Sequence, residues 1–112
     1  MANGQPSQAA VLQSLLSAAD AAQQDYLSAQ AANPGADLSQ LYIAEINAQN
    51  LYMTALNKTL ANNPAVAAAQ TSLDAATANI KSELATITNI TTWVTLVGNL
   101  VSLATSVAGF FA

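Results

Sequence analysis

Apolar positions in the first third of the chain recur three or four residues apart, which is the spacing of one helix face. Polar side chains fill most of the positions between them, and the stripe comprises Leu12, Leu15, Ala19, Ala22, Tyr26 and Ala29. Asn33, Pro34 and Gly35 end the pattern, because a residue before proline leaves the helical conformation and glycine permits positive φ. The pattern predicts a helix over residues 7–32.

The second helical pattern begins at Asp37, which stands three residues before Gln40 in the spacing of a capping box. One apolar face follows, widened by neighbours at Leu41, Ile43 and Leu51: Leu38, Tyr42, Ile46, Met53, Leu56 and Leu60. Gln49 interrupts this face. The spacing predicts a helix over residues 38–62 whose widened face packs on the core.

The third pattern repeats every seven residues. Its main series is Val66, Leu73, Ile80 and Ile87, and Ala69, Ala76, Leu84 and Ile90 lie beside it. Asn63 is suited to cap the start, with Pro64 at the first helical position, where its missing N–H costs nothing. We expect a helix over residues 64–89 with this series on its inner side.

The last 29 residues, 84–112, contain no charged side chain. Thr91 or Thr92 is suited to cap a helix over residues 92–110 that is apolar on nearly all sides, as buried helices are. The candidate functional or core residues of this segment are Trp93, Leu96, Val97, Gly98, Leu100, Val101, Ser102, Leu103, Ser106, Val107, Phe110 and Phe111.

Two interpretations of this C-terminal segment remain open. Residues 93–112 are long enough to cross about 30 Å of hydrocarbon, and small residues every four positions, such as Gly98 and Ser102, permit close helix contact in lipid. Against insertion, Asn99 interrupts the span and no Lys or Arg flanks it. We therefore expect a soluble core helix whose small-residue stripe accepts its alanine-rich neighbours, with membrane insertion as the alternative.

Four helices of similar length joined by brief connections predict an all-α fold, an antiparallel up-down four-helix bundle. The apolar C-terminal helix is expected to be buried among the other three, and residues 1–112 are expected to form a single domain. The alternative is a pair of longer helical hairpins in which the third and fourth helices run together. Val94 favours this alternative, because it continues the seven-residue series of the third helix.

Composition excludes several chemistries. The 112 residues include no His and no Cys, and Lys58 and Lys81 are the only cations among them. Zinc–thiolate sites, cysteine nucleophiles and the usual general base near neutral pH are thereby ruled out. A net charge of −4 without Arg opposes nucleic-acid binding, which depends on clustered cations. We expect no cofactor, no metal and no nucleic acid.

The carboxylates do not form a recognisable catalytic or metal motif. They are Asp20, Asp25, Asp37, Glu45, Asp74 and Glu83, and no two of them are three or four residues apart. We expect them to be solvated surface charges, with Asp37 capping a helix. Three tyrosines, Tyr26, Tyr42 and Tyr52, are expected at the edge of the core, with a small-ligand pocket between helices as the alternative. The protein is not expected to be an enzyme.

The low charge points to a function. Only 7% of residues are charged, so a surface rich in Gln, Asn, Ser and Thr has little electrostatic defence against association. We expect a non-catalytic helical protein that acts through protein–protein contacts or self-association, with membrane action by residues 93–112 as the alternative. The composition is similar to that of small helical proteins that bacteria export or display at their surface. No signal peptide is visible, so the compartment is open between the cytoplasm and export without a retained leader.

Overall fold

The fold consists of four α-helices. The computed structural model describes residues 5–112, and its helices are α1 (Gln8–Ala32), α2 (Ser39–Ala55), α3 (Val66–Glu83) and α4 (Ile90–Ala108). This confirms the predicted four-helix bundle. α1 and α4 agree with their predicted bounds to within two residues, whereas α2 and α3 are each shorter than expected.

Hydrogen bonds at one end of the bundle establish the direction of every helix. The Gln5 side-chain nitrogen donates to the Ala61 carbonyl at 2.9 Å, and the Ala112 backbone nitrogen donates to the Thr59 carbonyl at 2.9 Å. The start of α1, the end of α2, the start of α3 and the end of α4 therefore meet there. We call this the closing end. Successive helices consequently run in alternating directions.

The helices are arranged as a rhombus in cross-section. α1 and α4 each contact the other three helices, whereas α2 and α3, both fully described, do not contact each other. The Cα atoms extend over 52 × 24 × 16 Å, so the bundle is thinner in one lateral direction than in the other. α1 and α4 lie across the short diagonal. Their close approach follows from the inner face of α1, where Ala18, Ala21 and Ala22 are fully buried.

The inner faces predicted for α1 and α3 are confirmed. Leu15, Ala19, Ala22 and Ala29 are buried in α1, with Leu12 and Tyr26 half-buried beside them. The seven-residue series of the third pattern is buried throughout: Val66, Leu73, Ile80 and Ile87. In each of these two helices only one stripe is apolar, so only that face could pack on the core.

The face predicted for α2 is wrong in part. Leu41 and Leu51 of the widened face pack on the core as expected, as do Leu38 and Leu60 outside the helix ends. Three alanines that were not predicted complete the buried stripe of the helix: Ala44, Ala48 and Ala55, of which Ala44 is half-buried. Tyr42, Ile46, Met53 and Leu56, which were expected in the core, are exposed. The physical reason is size. The alanines at 44, 48 and 55 let the α2 backbone approach both α1 and α4, which the bulkier stripe would hold apart.

The predicted helix ends at residues 62 and 89 are also wrong. Residues beyond α2 pair with the C-terminus instead, through an isolated antiparallel bridge between Leu60 and Phe111. α3 ends at Glu83, whose carbonyl accepts hydrogen bonds from the Thr86 hydroxyl and backbone nitrogen at 2.9 Å each. A threonine hydroxyl that bonds the preceding backbone competes with helix continuation in this way. The third and fourth helices therefore do not run together.

Asparagine and aspartate side chains accept backbone hydrogen bonds near the starts of α2, α3 and α4, whereas Ser7 caps α1. The Asn89 carboxamide oxygen accepts from the Thr91 backbone nitrogen at 2.7 Å, so Asn89 caps α4, whereas Thr91 and Thr92 were predicted to do so. Asn63 accepts from the Ala65 nitrogen at 2.8 Å, but it does not cap α3 as predicted and Pro64 is not the first helical residue, because α3 begins at Val66 with Ala65 at the cap position. Asp37 accepts from the backbone nitrogen and hydroxyl of Ser39, the first residue of α2.

Candidate functional site

The residues singled out in the C-terminal segment lie on three different parts of α4 and the turn after it. Five are buried: Trp93, Val97, Leu100, Val107 and Phe111. Four are half-buried and pack against that core: Leu96, Val101, Leu103 and Phe110. Three are exposed: Gly98, Ser102 and Ser106. α4 thus buries one face among the other helices and presents a hydroxyl-rich face to solvent.

The small-residue stripe of α4 does not receive a neighbouring helix, contrary to the expectation. A Cβ added at Gly98 would have no atom within 4 Å. The Ser106 hydroxyl donates to the Ser102 carbonyl at 3.3 Å, and the Thr105 hydroxyl donates to the Val101 carbonyl at 2.8 Å. The hydroxyl groups of Ser106 and Thr105 are thus hydrogen-bonded within their own helix. Contact with other helices comes from the opposite face, because its side chains are apolar and their burial removes apolar surface from water.

Large exposed apolar side chains are concentrated on α1 and α2. We define the outer seam as five positions along α2 and its C-terminal cap: Tyr42, Ile46, Gln49, Met53 and Leu56. Its four apolar members are 37–59% exposed. Leu16 and Leu27 on α1 are 40% and 50% exposed, and Leu16 lines the same surface cavity as Gln49 and Met53, of about 290 Å³. The cavity therefore joins Leu16 to the outer seam. Leu27 lies on the same face of α1 as Leu16, because eleven residues are about three helical turns, and we call these two residues the α1 flank.

The outer seam was missed as a site because its residues were assigned to the core. The signal was present in the sequence. α2 carries two apolar stripes with four- and three-residue steps, one containing Ala44, Ala48 and Ala55 and the other containing Ile46 and Met53. A helix with two apolar stripes has more apolar surface than one core needs, so one stripe is left for another contact.

Two of the three tyrosines contact each other at the end of this surface that is next to the turn between α1 and α2. The ring centroids of Tyr26 and Tyr42 lie 5.6 Å apart with the rings tilted by 51°, a favourable aromatic geometry. Both line a surface cavity of about 270 Å³ beside the turn between α1 and α2, whereas Tyr52 lines a different cavity. The contact holds the Tyr42 ring against α1, so the start of the outer seam is attached to both helices.

Asp25 is a buried carboxylate, whereas it was expected to be a solvated charge. Its side chain is 0% exposed in α1, and within residues 5–112 neither carboxylate oxygen has a hydrogen-bond partner. Burial raises the pKa of Asp25 from 3.8 to about 7, because desolvation penalises the charged form. The neutral acid is thus the form that this position favours below pH 7. The signal in the sequence was the spacing of Asp25 from Ala22 and Ala29, because Asp25 continues the buried stripe of α1, which also includes the polar Ser14.

Trp93 is the second buried side chain with an unpartnered polar atom. Its indole Nε1 has no hydrogen-bond partner among the described residues, although its ring is 1% exposed. At 1.5 Å per residue, Asp25 lies about 26 Å along α1 from Gln8, and Trp93 lies about 23 Å along α4 from Ala108. Gln8 and Ala108 are both near the closing end. Asp25 and Trp93 therefore lie at distances from that end that differ by less than one helical turn.

The other carboxylates are accessible to solvent. The Asp20 carboxylate forms an ion pair with Lys81 Nζ at 3.2 Å, and both side chains are more than a third exposed, so the pair adds little stability. Two hydrogen bonds from Ser39 hold the pKa of Asp37 below its usual value. Within residues 5–112 no three carboxylates come together in a group suited to a metal ion.

Comparison of the chain with protein-family models, with curated proteins and with solved structures returns no significant match. The function has to be inferred from the surfaces of the molecule itself. Of these, the outer seam with its α1 flank carries the most chemical information.

Proposed function

We propose that this chain is a non-catalytic helical protein that acts through protein–protein contacts made by the outer seam and its α1 flank. One observation carries the proposal. Every large apolar side chain that is strongly exposed in the described part of the chain lies on α1, α2 or the residue that caps α2: Leu16, Leu27, Tyr42, Ile43, Ile46, Met53 and Leu56. Such a concentration on one side is typical of an interaction surface.

The low charge supports the same proposal. None of the five outer-seam positions is charged, and the whole chain has two basic and six acidic residues. Covering these five positions costs little solvation energy, although the carboxylates of Glu45 and Asp20 lie beside them. Export or display at a bacterial surface belongs to the same proposal, and fractionation of the producing cells tests it.

A photo-crosslinking residue in place of Met53 tests the contact surface. We expect irradiation of the producing cells to link position 53 to protein, either another copy or a different chain. The matched control carries the same residue in place of Ser72, which is exposed on α3 away from the outer seam. Equal cross-linking at positions 53 and 72, or none at position 53, would contradict the proposal.

Membrane action by α4 is the second candidate function. Ile90–Ala108 is long and apolar enough to cross a membrane, and only 28% of that span is buried. The core helix of a soluble bundle passes the same test of length and composition. The observation that favours membrane action is the absence of charge over the whole of α4, since no ionised group would have to enter the hydrocarbon.

Dye release from vesicles tests this second candidate. Neutral and anionic vesicles are exposed to the protein over a range of pH, with a variant carrying Ser102→Asp, a change on the exposed face of α4, as the control. Membrane action predicts release by the original chain and none by the variant. Absence of release, together with absence of flotation with lipid, would remove the candidate.

A further inference from the structure

The positions of the outer seam are spaced almost symmetrically about its central residue, so the same surface on two copies of the chain can pair. Counted from Gln49, Tyr42 and Leu56 each lie seven residues away, and Ile46 and Met53 lie three and four residues away. The pattern of apolar and polar positions is therefore nearly the same in both directions along α2. Subunits related by a two-fold axis need this property, because the same surface on each copy must complement itself.

We propose that the outer seam binds the outer seam of a second copy, with the two α2 helices antiparallel and the two-fold axis passing near Gln49. This inference rests on the proposed function, since it names the partner of the same surface. In this arrangement Tyr42 meets Leu56 of the partner subunit, and Ile46 meets Met53 of the partner subunit. Each apolar side chain is then covered by an apolar one.

The polar residue at the centre of the outer seam fits this arrangement. The Gln49 carboxamide donates one hydrogen to the Glu45 carboxylate, with 3.2 Å between nitrogen and oxygen. Its oxygen and its second amide hydrogen remain free to bond the same group on the partner subunit, because a carboxamide both donates and accepts. A polar pair within an apolar helix contact selects one register and one orientation, since any shift leaves it unpaired.

Acidic groups near the axis limit how two copies can meet. Each copy has a net charge of −4, so a shared surface must keep these groups apart. Two carboxylates are close to the axis: Glu45, four residues from Gln49, and Asp20, which lines the same cavity as Gln49 and forms an ion pair with Lys81. About the proposed axis the two Glu45 residues are about 12 Å apart along the helices, beyond the Debye length of ~8 Å at physiological salt.

The apolar area of the surface is about three quarters of what a stable pair buries per partner. The outer seam and its flank expose six apolar side chains, which are Leu16, Leu27, Tyr42, Ile46, Met53 and Leu56. At 37–59% exposure, these side chains offer on the order of 600 Å², the upper end of what monomers expose in one patch. Stable pairs bury about 800 Å² per partner. Gln23 and Gln49, which line the cavity between the two helices, add polar area to this.

Sedimentation of two charge variants tests the proposal. We expect the original chain to be a dimer and Met53→Glu to be a monomer, with a dimer dissociation constant that is at least 100-fold higher. Ser72→Glu is the matched control, because Ser72 is exposed on α3, which does not contact α2. This variant stays dimeric. Circular dichroism checks that both variants are folded, as expected for exposed positions.

A single cysteine tests the position of the axis. The chain has no cysteine, so Gln49→Cys places one thiol at the proposed axis, where mild oxidation should link the two copies. Ser72→Cys, treated alike, should stay unlinked. A monomeric original chain at millimolar concentration, or linkage at position 72 but not at 49, overturns the proposal. If position 53 then cross-links to a different protein, the proposed function stands and only the second copy is wrong; if it cross-links to none, both fail.

Discussion

Ionisation of Asp25 should make the bundle less stable as the pH rises toward neutrality. The carboxylic acid is fully buried without a hydrogen-bond partner in the described part of the chain, and its pKa is raised from 3.8 to about 7. The folded form therefore holds the proton more tightly than the unfolded form. This contribution to stability is complete below pH 3.8 and is lost progressively as the pH rises to 7.

The raised pKa sets the size of the effect. Each pKa unit corresponds to 1.36 kcal/mol, so the loss between pH 4 and pH 8 amounts to about 4 kcal/mol. A domain of this size is stable by about 5–15 kcal/mol, and the loss corresponds to a fall in Tm on the order of 20 °C. The hydrogen bonds to Asp37 act in the opposite sense, but only at more acidic pH, because its pKa is lowered.

Urea unfolding of the original chain and of Asp25→Asn at a series of pH values measures this effect. The isosteric amide does not titrate, so the variant should be almost insensitive to pH between 4 and 8 and more stable than the original chain at pH 8. Asp74→Asn, an exposed change on α3, is the control and should keep the original pH dependence. Parallel curves for the original chain and Asp25→Asn would refute the reasoning, since the loss would then have another origin.

Three further substitutions test the packing and capping of α4 by thermal melting. Leu100→Asp should cost about 3–5 kcal/mol, because position 100 is 0% exposed and the charge has no partner, whereas Asn99→Asp on the exposed side should be tolerated. Gly98→Ala should stabilise the helix by about 1 kcal/mol, since the added methyl group meets no atom; a loss of stability would indicate a helix packed on this stripe. Asn89→Ala should cost about 1 kcal/mol by removing the α4 cap, and an unchanged Tm would show that the cap is dispensable.

Much of the architecture could be predicted from the chain alone. The number of helices, the ends of α1, and the inner faces of α1 and α3 follow from single apolar stripes bounded by proline, glycine and asparagine. Where only one face is apolar, burial has one solution, and the local pattern is sufficient. The exclusions based on missing His and Cys likewise need no coordinates, because they concern which atoms the chain contains.

Tertiary structure alone decided the rest. α2 has two apolar stripes, and the choice between them depended on how closely α1 and α4 approach Ala48 and Ala55, which no local pattern specifies. The end of α2 at Ala55 has the same origin, since it depends on groups distant in sequence. The outer seam became a candidate site for this reason: the core could accept one stripe of α2, and the surface received the other.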